Sequence, residues 1–515
     1  MKKRTVGLLL LIFFLLGSPQ SPGQEKLLNP GEFYDASMAL YHKGNFGEAI
    51  QGFLTIIRSA PASKLVSYSH YMIGICYLRM EKYEEAIQQL ERYLRDYPGS
   101  DRGKEAGRGI QIAKERLKEK TSGHATLSEP VVQRPFPNEK KVKRRICVQA
   151  SYLAGKTLEE VEKRMKELKN AGVDTVILRV FQNRGDRTYP FVAGKREEGV
   201  YFKTEFAPVV DDLLGKLTEI VHRNGLEIFA WMTTRYANYG LEGSPEYRCT
   251  KYNFETKKME MARGFNLYHP DVLKRLENLF RDLGRTPIDG ILFQDDLILR
   301  HDEDFSPEAN KAFLKEFGYL PDPELFYVDP YKSDSGKYYV RGYTDRFWVW
   351  ANWKNRWLMN VAKRLMEASR ESNPNLQFAI NLYFESILND LNGVAWFSQT
   401  LSGALRNNFD YYAVMAYHRQ AMKDRNIEAG EAIGLMAEAT RKATEGVGDP
   451  SKVLMKIWIL DWKSHGAVSS DLAPRKEIED TLTAILNRGK VSLAFVPYID
   501  PFPIDSFKGK WTNPK

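Results

Sequence analysis

Cysteine is almost missing from this chain: Cys76, Cys147 and Cys249 are the three among 515 residues. They are too few and too scattered for a disulfide scaffold, and no C-x-x-C pair is present for zinc or redox work. The histidines fall in no ligand spacing, so no metal and no other cofactor is expected. No glycine-rich phosphate loop follows the first apolar run of the C-terminal part, which argues against a dinucleotide fold. Evenly spread positive charge is missing too. The formal charge is +9, but Lys2, Lys3 and Arg4 together with Arg134 to Arg145, six basic residues against Glu139, supply eight of the nine. The remainder is close to neutral, so no nucleic-acid partner is expected.

What is present is core material, 43% hydrophobic and 12% aromatic residues over a length that allows two or three domains. Met1 to Gly17 has a basic start and an apolar run, Val6 to Leu16, followed by Ser18-Pro19-Gln20-Ser21-Pro22-Gly23. The run is shorter than the ~20 residues that cross a bilayer, and its small and proline flank fits a secretory signal over residues 1–23. An uncleaved anchor is the alternative; no cysteine follows closely for lipidation. Export is therefore expected, to the periplasm, the outer membrane or the exterior of a bacterium.

Residues 28–120 read as helices with an internal repeat: Phe46-Gly47-Glu48-Ala49-Ile50 and Tyr83-Glu84-Glu85-Ala86-Ile87 lie 37 apart, as do Pro61 and Pro98. An aromatic, then Glu-Ala-Ile, then an amphipathic helix closed by proline resembles the tetratricopeptide repeat, whose small alanine lets two helices pack closely. A third helical segment runs from Arg102 to Glu119. This small all-α, tetratricopeptide-like domain carries no catalytic constellation, and its expected role is to hold a protein partner. Residues 121–144 contain Pro130, Pro135 and Pro137, end in a basic run and read as a solvated linker.

From 145 to about 510 short apolar runs alternate with amphipathic helices, the pattern of parallel strands buried on both faces. The runs are Ile146 to Ser151, Thr175 to Val180, Glu227 to Met232, Gly290 to Phe293, Gln377 to Leu382, Tyr411 to Ala416, Val453 to Leu460 and Ser492 to Pro497. Eight strands, with helices such as Pro208 to Asn224, Asp345 to Ser372 and Ala395 to Asn407 between them, predict a (β/α)8 TIM barrel; an open doubly wound sheet is the alternative. Function on such a barrel sits at the carboxyl ends of the strands. Candidate binding residues there are Gln149, Arg179, Trp231, Gln294, Asn381, Tyr383, Tyr417, Asp461 and Trp462, a mixture that suits sugars: aromatic faces stack on C–H faces and polar groups bond hydroxyls. The sharpest feature is Asp289-Gly290-Ile291-Leu292-Phe293-Gln294-Asp295-Asp296, two carboxylates leaving an apolar strand together. Adjacent acids repel when both ionise, which raises one pKa and makes a proton donor. Asp295, Asp296 and Glu385 are the catalytic candidates, with Asp461 a further possible second carboxylate. The acidic loop Asp302-Glu303-Asp304 reads as a lure for a cationic chain, and the aromatics between Asp296 and Asp345 as a lid or an extension of the groove.

Ile228-Phe229-Ala230-Trp231-Met232, the Asp289–Asp296 motif, Asn381-Leu382-Tyr383 with Glu385, and Trp396-Phe397-Ser398-Gln399 are spread along the whole barrel. From Arg145 to about Pro503 the chain resembles the C-terminal glycoside hydrolase domain of bacterial poly-β-1,6-N-acetylglucosamine deacetylases, which act on a biofilm polysaccharide. The resemblance implies a (β/α)8 fold and hydrolysis of partly deacetylated poly-β-1,6-N-acetylglucosamine, with an essential aspartate mapping onto Asp295 or Asp296. Two departures stand out. The family usually has histidine where Gln294 stands, and its N-terminal deacetylase domain has no counterpart, so deacetylation is not expected. The helical module in its place resembles scaffolding parts of exopolysaccharide export machinery. The expected chemistry is acid-assisted cleavage of a glycosidic bond. The rival is a non-catalytic polysaccharide-binding scaffold of an export complex; a hydrolase of starch-like chains is a third option.

Overall fold

The structure is a computed structural model that describes residues 30–42, 45–61, 63–100, 102–121, 142–192, 196–236, 239, 241, 244–333, 336, 338–462 and 468–503. The expected secretory signal lies outside them, as does most of the expected linker. The chain divides into two compact units, Met1–Pro135 and Phe136–Lys515.

Among the described residues of the first unit five helices follow one another: α1 (Pro30–His42), α2 (Phe46–Ser59), α3 (Leu65–Arg79), α4 (Tyr83–Asp96) and α5 (Gly103–Thr121). The repeated alanines, Ala49 and Ala86, are both fully buried. Gly74 marks a close approach of α3 and α4: a Cβ there would lie 2.5 Å from Leu90 Cδ2, so a side chain at that point would force Leu90 to shift.

The second unit is a closed barrel of eight parallel strands: β1 (Ile146–Ala150), β2 (Thr175–Arg179), β3 (Glu227–Met232), β4 (Gly290–Phe293), β5 (Gln377–Tyr383), β6 (Tyr411–Ala416), β7 (Val453–Trp458) and β8 (Ser492–Val496). Each pairs with its neighbours in sequence and β8 returns to β1, with Ile146 opposite Leu493. Side chains alternate across the wall. Cys147, Ile177, Phe229, Leu292, Ala379, Tyr411, Ala413, Leu454 and Ala494 form an interior cluster. The other face of the strands packs against the surrounding helices in a much larger core.

Helix boundaries depart from expectation in places. The helix expected from Pro208 spans Leu214–Arg223, and the one expected over Ala395–Asn407 is two short helices, Asp390–Phe397 and Leu401–Leu405. Ser398 adopts a left-handed backbone (φ 48°) that ends the first, and the Thr400 hydroxyl accepts from Gly403 N–H to start the second.

The end of the basic run is not a solvated tether. Arg144 Nε donates to Val491 O at 2.8 Å, and Lys143 pairs with Glu227. The Arg145 side chain, 3% exposed, enters the amino-terminal end of the barrel and pairs with Glu227 at 2.6 Å. It donates to Tyr411 Oη at 2.7 Å, Thr175 Oγ1 at 2.6 Å and Gln377 Oε1. Its guanidinium also lies over the Phe229 and Tyr411 rings, 4.7 and 5.1 Å from their centroids. A charge buried this deeply persists because each face has a partner.

Candidate functional site

Pleating places Gln149, Arg179, Trp231, Asn381 and Lys456 on the inner face of the wall at its carboxyl end, with Gln294 just past β4 and Tyr417 just past β6. Gln149 Oε1, Arg179 Nε, Trp231 Nε1, Gln294 Oε1 and Glu385 Oε2 are buried with no hydrogen-bond partner among the described residues. One such atom therefore comes from the end of each of β1 to β5, whereas buried polar groups elsewhere in proteins are nearly always paired.

The two adjacent aspartates have opposite surroundings. Gln294 N–H still bonds Met232 O at 2.9 Å, extending the β3–β4 ladder by one residue before the chain turns. Asp296 is 1% exposed and saturated. It accepts from Thr233 Oγ1 at 2.6 Å and Thr234 Oγ1 at 2.8 Å, and from the backbone N–H groups of Thr234, Arg235 and Tyr236 at 3.0, 2.7 and 2.9 Å. The turn after β3 thus forms a concave nest of donors around one carboxylate. Asp295 is half-buried, and among the described residues only its own backbone N–H bonds its carboxyl. Burial pushes its pKa up; Lys456 and Arg300 pull it down, and the Asp296 charge adds to the rise. Desolvation, more than repulsion between the pair, is the main cause.

Lys456 was not apparent as a site residue in the sequence, where it sits inside the apolar run Val453-Leu454-Met455-Lys456-Ile457-Trp458. Period-two alternation within a parallel strand is the signal that places it in the barrel. It is 2% exposed, and its Nζ donates to Asn381 Oδ1 at 2.7 Å. Burial lowers its pKa to about 8 against the opposing pull of Asp295. Asn381 is a strut: it also donates to Phe293 O at 2.9 Å, and its own carbonyl accepts from Gln399 Nε2 at 2.8 Å. Gln399 Oε1 in turn accepts from Tyr383 N–H at 3.3 Å, so the Trp396–Gln399 segment braces the end of β5.

Tyr383 offers one ring face, because Phe397 lies parallel to the other at 4.0 Å. Its hydroxyl is 3.5 Å from Asp295 O. Tyr417, Trp458 and Trp462 form a second aromatic group at the ends of β6 and β7, with Trp458 5.3 Å from each of the others. Glu385 stands in the first turn of Phe384–Leu388, and burial raises its pKa. Asp461 does not fit a free second carboxylate. Its Oδ1 accepts from Arg419 Nη2 at 2.5 Å and Nε at 2.9 Å, which outweighs its burial and lowers its pKa. Arg179 is paired with Asp186 at 3.0 Å.

The acidic loop also differs from expectation. Glu303 and Asp304 are buried, Glu303 bridges to the fully buried Arg235 at 3.0 Å, and Asp304 Oδ1 accepts from Thr250 and Ser306 N–H. Glu303 and Asp304 are thus bonded internally and hold the loop. Of the aromatics expected to form a lid, Phe326 and Tyr327 are core residues packed on Trp350 and Phe347, while Tyr331 and Tyr339 are exposed.

With this geometry in place, comparison with known proteins is informative. Residues 68–100 match the tetratricopeptide repeat. The poly-β-1,6-N-acetyl-D-glucosamine N-deacetylases of Escherichia coli K12 and O157:H7 are each 24% identical over 307 residues, 57% of this chain but 42% of theirs. The chain thus spans less than half the length of those relatives. The PgaB (BpsB) glycoside hydrolase domain from Bordetella bronchiseptica superposes with a TM-score of 0.55 at 19% identity, over 72% of this chain and 98% of that one, and shares the barrel fold. Residues 154–496, about two thirds of the chain, match hypothetical glycosyl hydrolase family 13 from just after β1 to the end of β8, and the chain belongs to that family.

Proposed function

We propose that the protein is an exported hydrolase of β-1,6-linked, partly deacetylated N-acetylglucosamine exopolysaccharide, with Asp295 as the proton donor. The observation that carries this reading is the contrast within the pair. Asp296 has every lone pair engaged, while Asp295, with a raised pKa and no side-chain partner among the described residues, stands at the barrel mouth among polar atoms that those residues leave unpaired and beside the Tyr383 ring. In the proposed reaction Asp295 gives its proton to the glycosidic oxygen as the C–O bond breaks, and Glu385 supplies the second carboxylate, against the anomeric carbon or a water. Gln149, Trp231, Gln294, Tyr383, Tyr417 and Trp462 bind the sugar, and the helical repeats hold a protein partner. Asn381 and Lys456 act through Asp295 and its strand.

The test is product analysis on defined β-1,6-glucosamine oligomers of varied acetylation. Release of shorter oligosaccharides supports the hydrolase; binding with no turnover by the wild type selects the scaffold reading.

A pH prediction follows from the same group. A proton donor works while protonated, so kcat/KM falls as pH rises through the Asp295 pKa, which lies above the ordinary carboxylate range. Lys456 holds that pKa down, so Lys456→Met is expected to move the descending limb of the pH profile to higher pH. An unmoved limb would show that the ammonium does not act on the donor.

A further inference from the structure

Arg300 is a half-buried cation in the segment that follows β4. Its guanidinium lies over the Phe397 ring, 5.4 Å from the centroid, in the aromatic pile that Phe397 makes with Tyr383. Among the described residues, that guanidinium makes no hydrogen bond and no ion pair. Three nearby acids are engaged elsewhere: Asp296 by Thr233 to Tyr236, Glu303 by Arg235 and by the Arg300 backbone N–H, and Asp304 by Thr250 and Ser306. Arg300 acts electrostatically on Asp295, Tyr383 and Tyr236, which places its charge at the barrel mouth. Arg263, exposed at the end of the hairpin strand Lys258–Phe265, lies 5.2 Å from the Tyr236 ring centroid and likewise has no carboxylate partner among the described residues.

Stacking on an aromatic ring covers the face of a guanidinium and leaves its fork of N–H donors at the edge, the geometry that grips a carboxylate with two parallel bonds. A half-buried cation without an acceptor is unfavourable until one arrives. When Asp295 is protonated, as a donor must be, its charge no longer offsets that of Arg300. We propose that Arg300, assisted by Arg263, binds a carboxylate carried by the sugar chain, in an acidic sugar or an acid-bearing substituent. This rests on the reading of the barrel mouth as a glycan site, and it reverses the sign of charge that the acidic loop suggested.

The experiment is calorimetric titration of the full chain at low salt with three β-1,6-linked tetrasaccharides: all N-acetylglucosamine, all glucosamine, and N-acetylglucosamine with one glucuronate unit. The glucuronate probe is expected to bind about tenfold or more tightly than the neutral one, as suits a bidentate charged contact. Arg300→Gln is expected to erase that ratio and Arg300→Lys to keep part of it. Arg263→Gln, on an exposed strand where folding is not at stake, is expected to reduce it. Neutral and acidic probes bound equally, or a preference for glucosamine, would overturn the carboxylate site alone. No binding of any probe would overturn the glycan site with it.

Discussion

Asp295→Asn is expected to lower kcat on a natural β-1,6 linkage by about 10²–10⁴, the usual worth of a positioned proton donor, with the fold intact. Asparagine preserves shape and hydrogen bonding but has no proton to transfer, so the loss reads chemistry and not packing. Because no other described residue bonds the Asp295 carboxyl, the substitution breaks no contact with any of them. A leaving group that needs no protonation separates the roles: an aryl glycoside with an acidic phenol should lose far less than the sugar-linked substrate. Equal losses on both would assign Asp295 to attack or to charge stabilisation instead.

The neighbouring substitution should act on stability. Asp296→Ala strands two hydroxyls and three backbone N–H groups that converge on one buried carboxylate. Each buried unsatisfied group costs about 1–3 kcal/mol, and such groups are not additive, so a loss of about 3–5 kcal/mol is expected. Urea unfolding would report it as a lower midpoint at an unchanged slope. Asp296→Asn turns an amide N–H₂ toward donors and should recover only part of this. A stable but inactive Asp296 variant would move the chemistry to that residue and sink the division of labour drawn here.

That division was half legible in the sequence. Two acids leaving the apolar run Gly290–Phe293 announce a site, but which acid is free depends on Thr233 to Tyr236, some sixty residues earlier. The barrel itself was readable because parallel strands buried on both faces leave uninterrupted apolar runs, and chain order equals strand order. Loop charges were misread for a non-local reason. Asp302-Glu303-Asp304 looks solvated until Arg235 from the β3 turn and Lys354 from the helix Asp345–Arg370 are brought against it; Lys354 Nζ donates to Arg300 O at 2.7 Å and to Glu303 O. Lys456 was concealed by its apolar neighbours, and the break at Ser398 by the absence of any proline or glycine there.

The residues ahead of the first strand also decide how the chain can be dissected. Val142 packs into the barrel interior and Arg145 corks its lower opening, so a fragment beginning at Ile146 would keep all eight strands yet lose its stopper. Limited proteolysis should therefore yield a durable barrel only when the cut falls upstream of Val142.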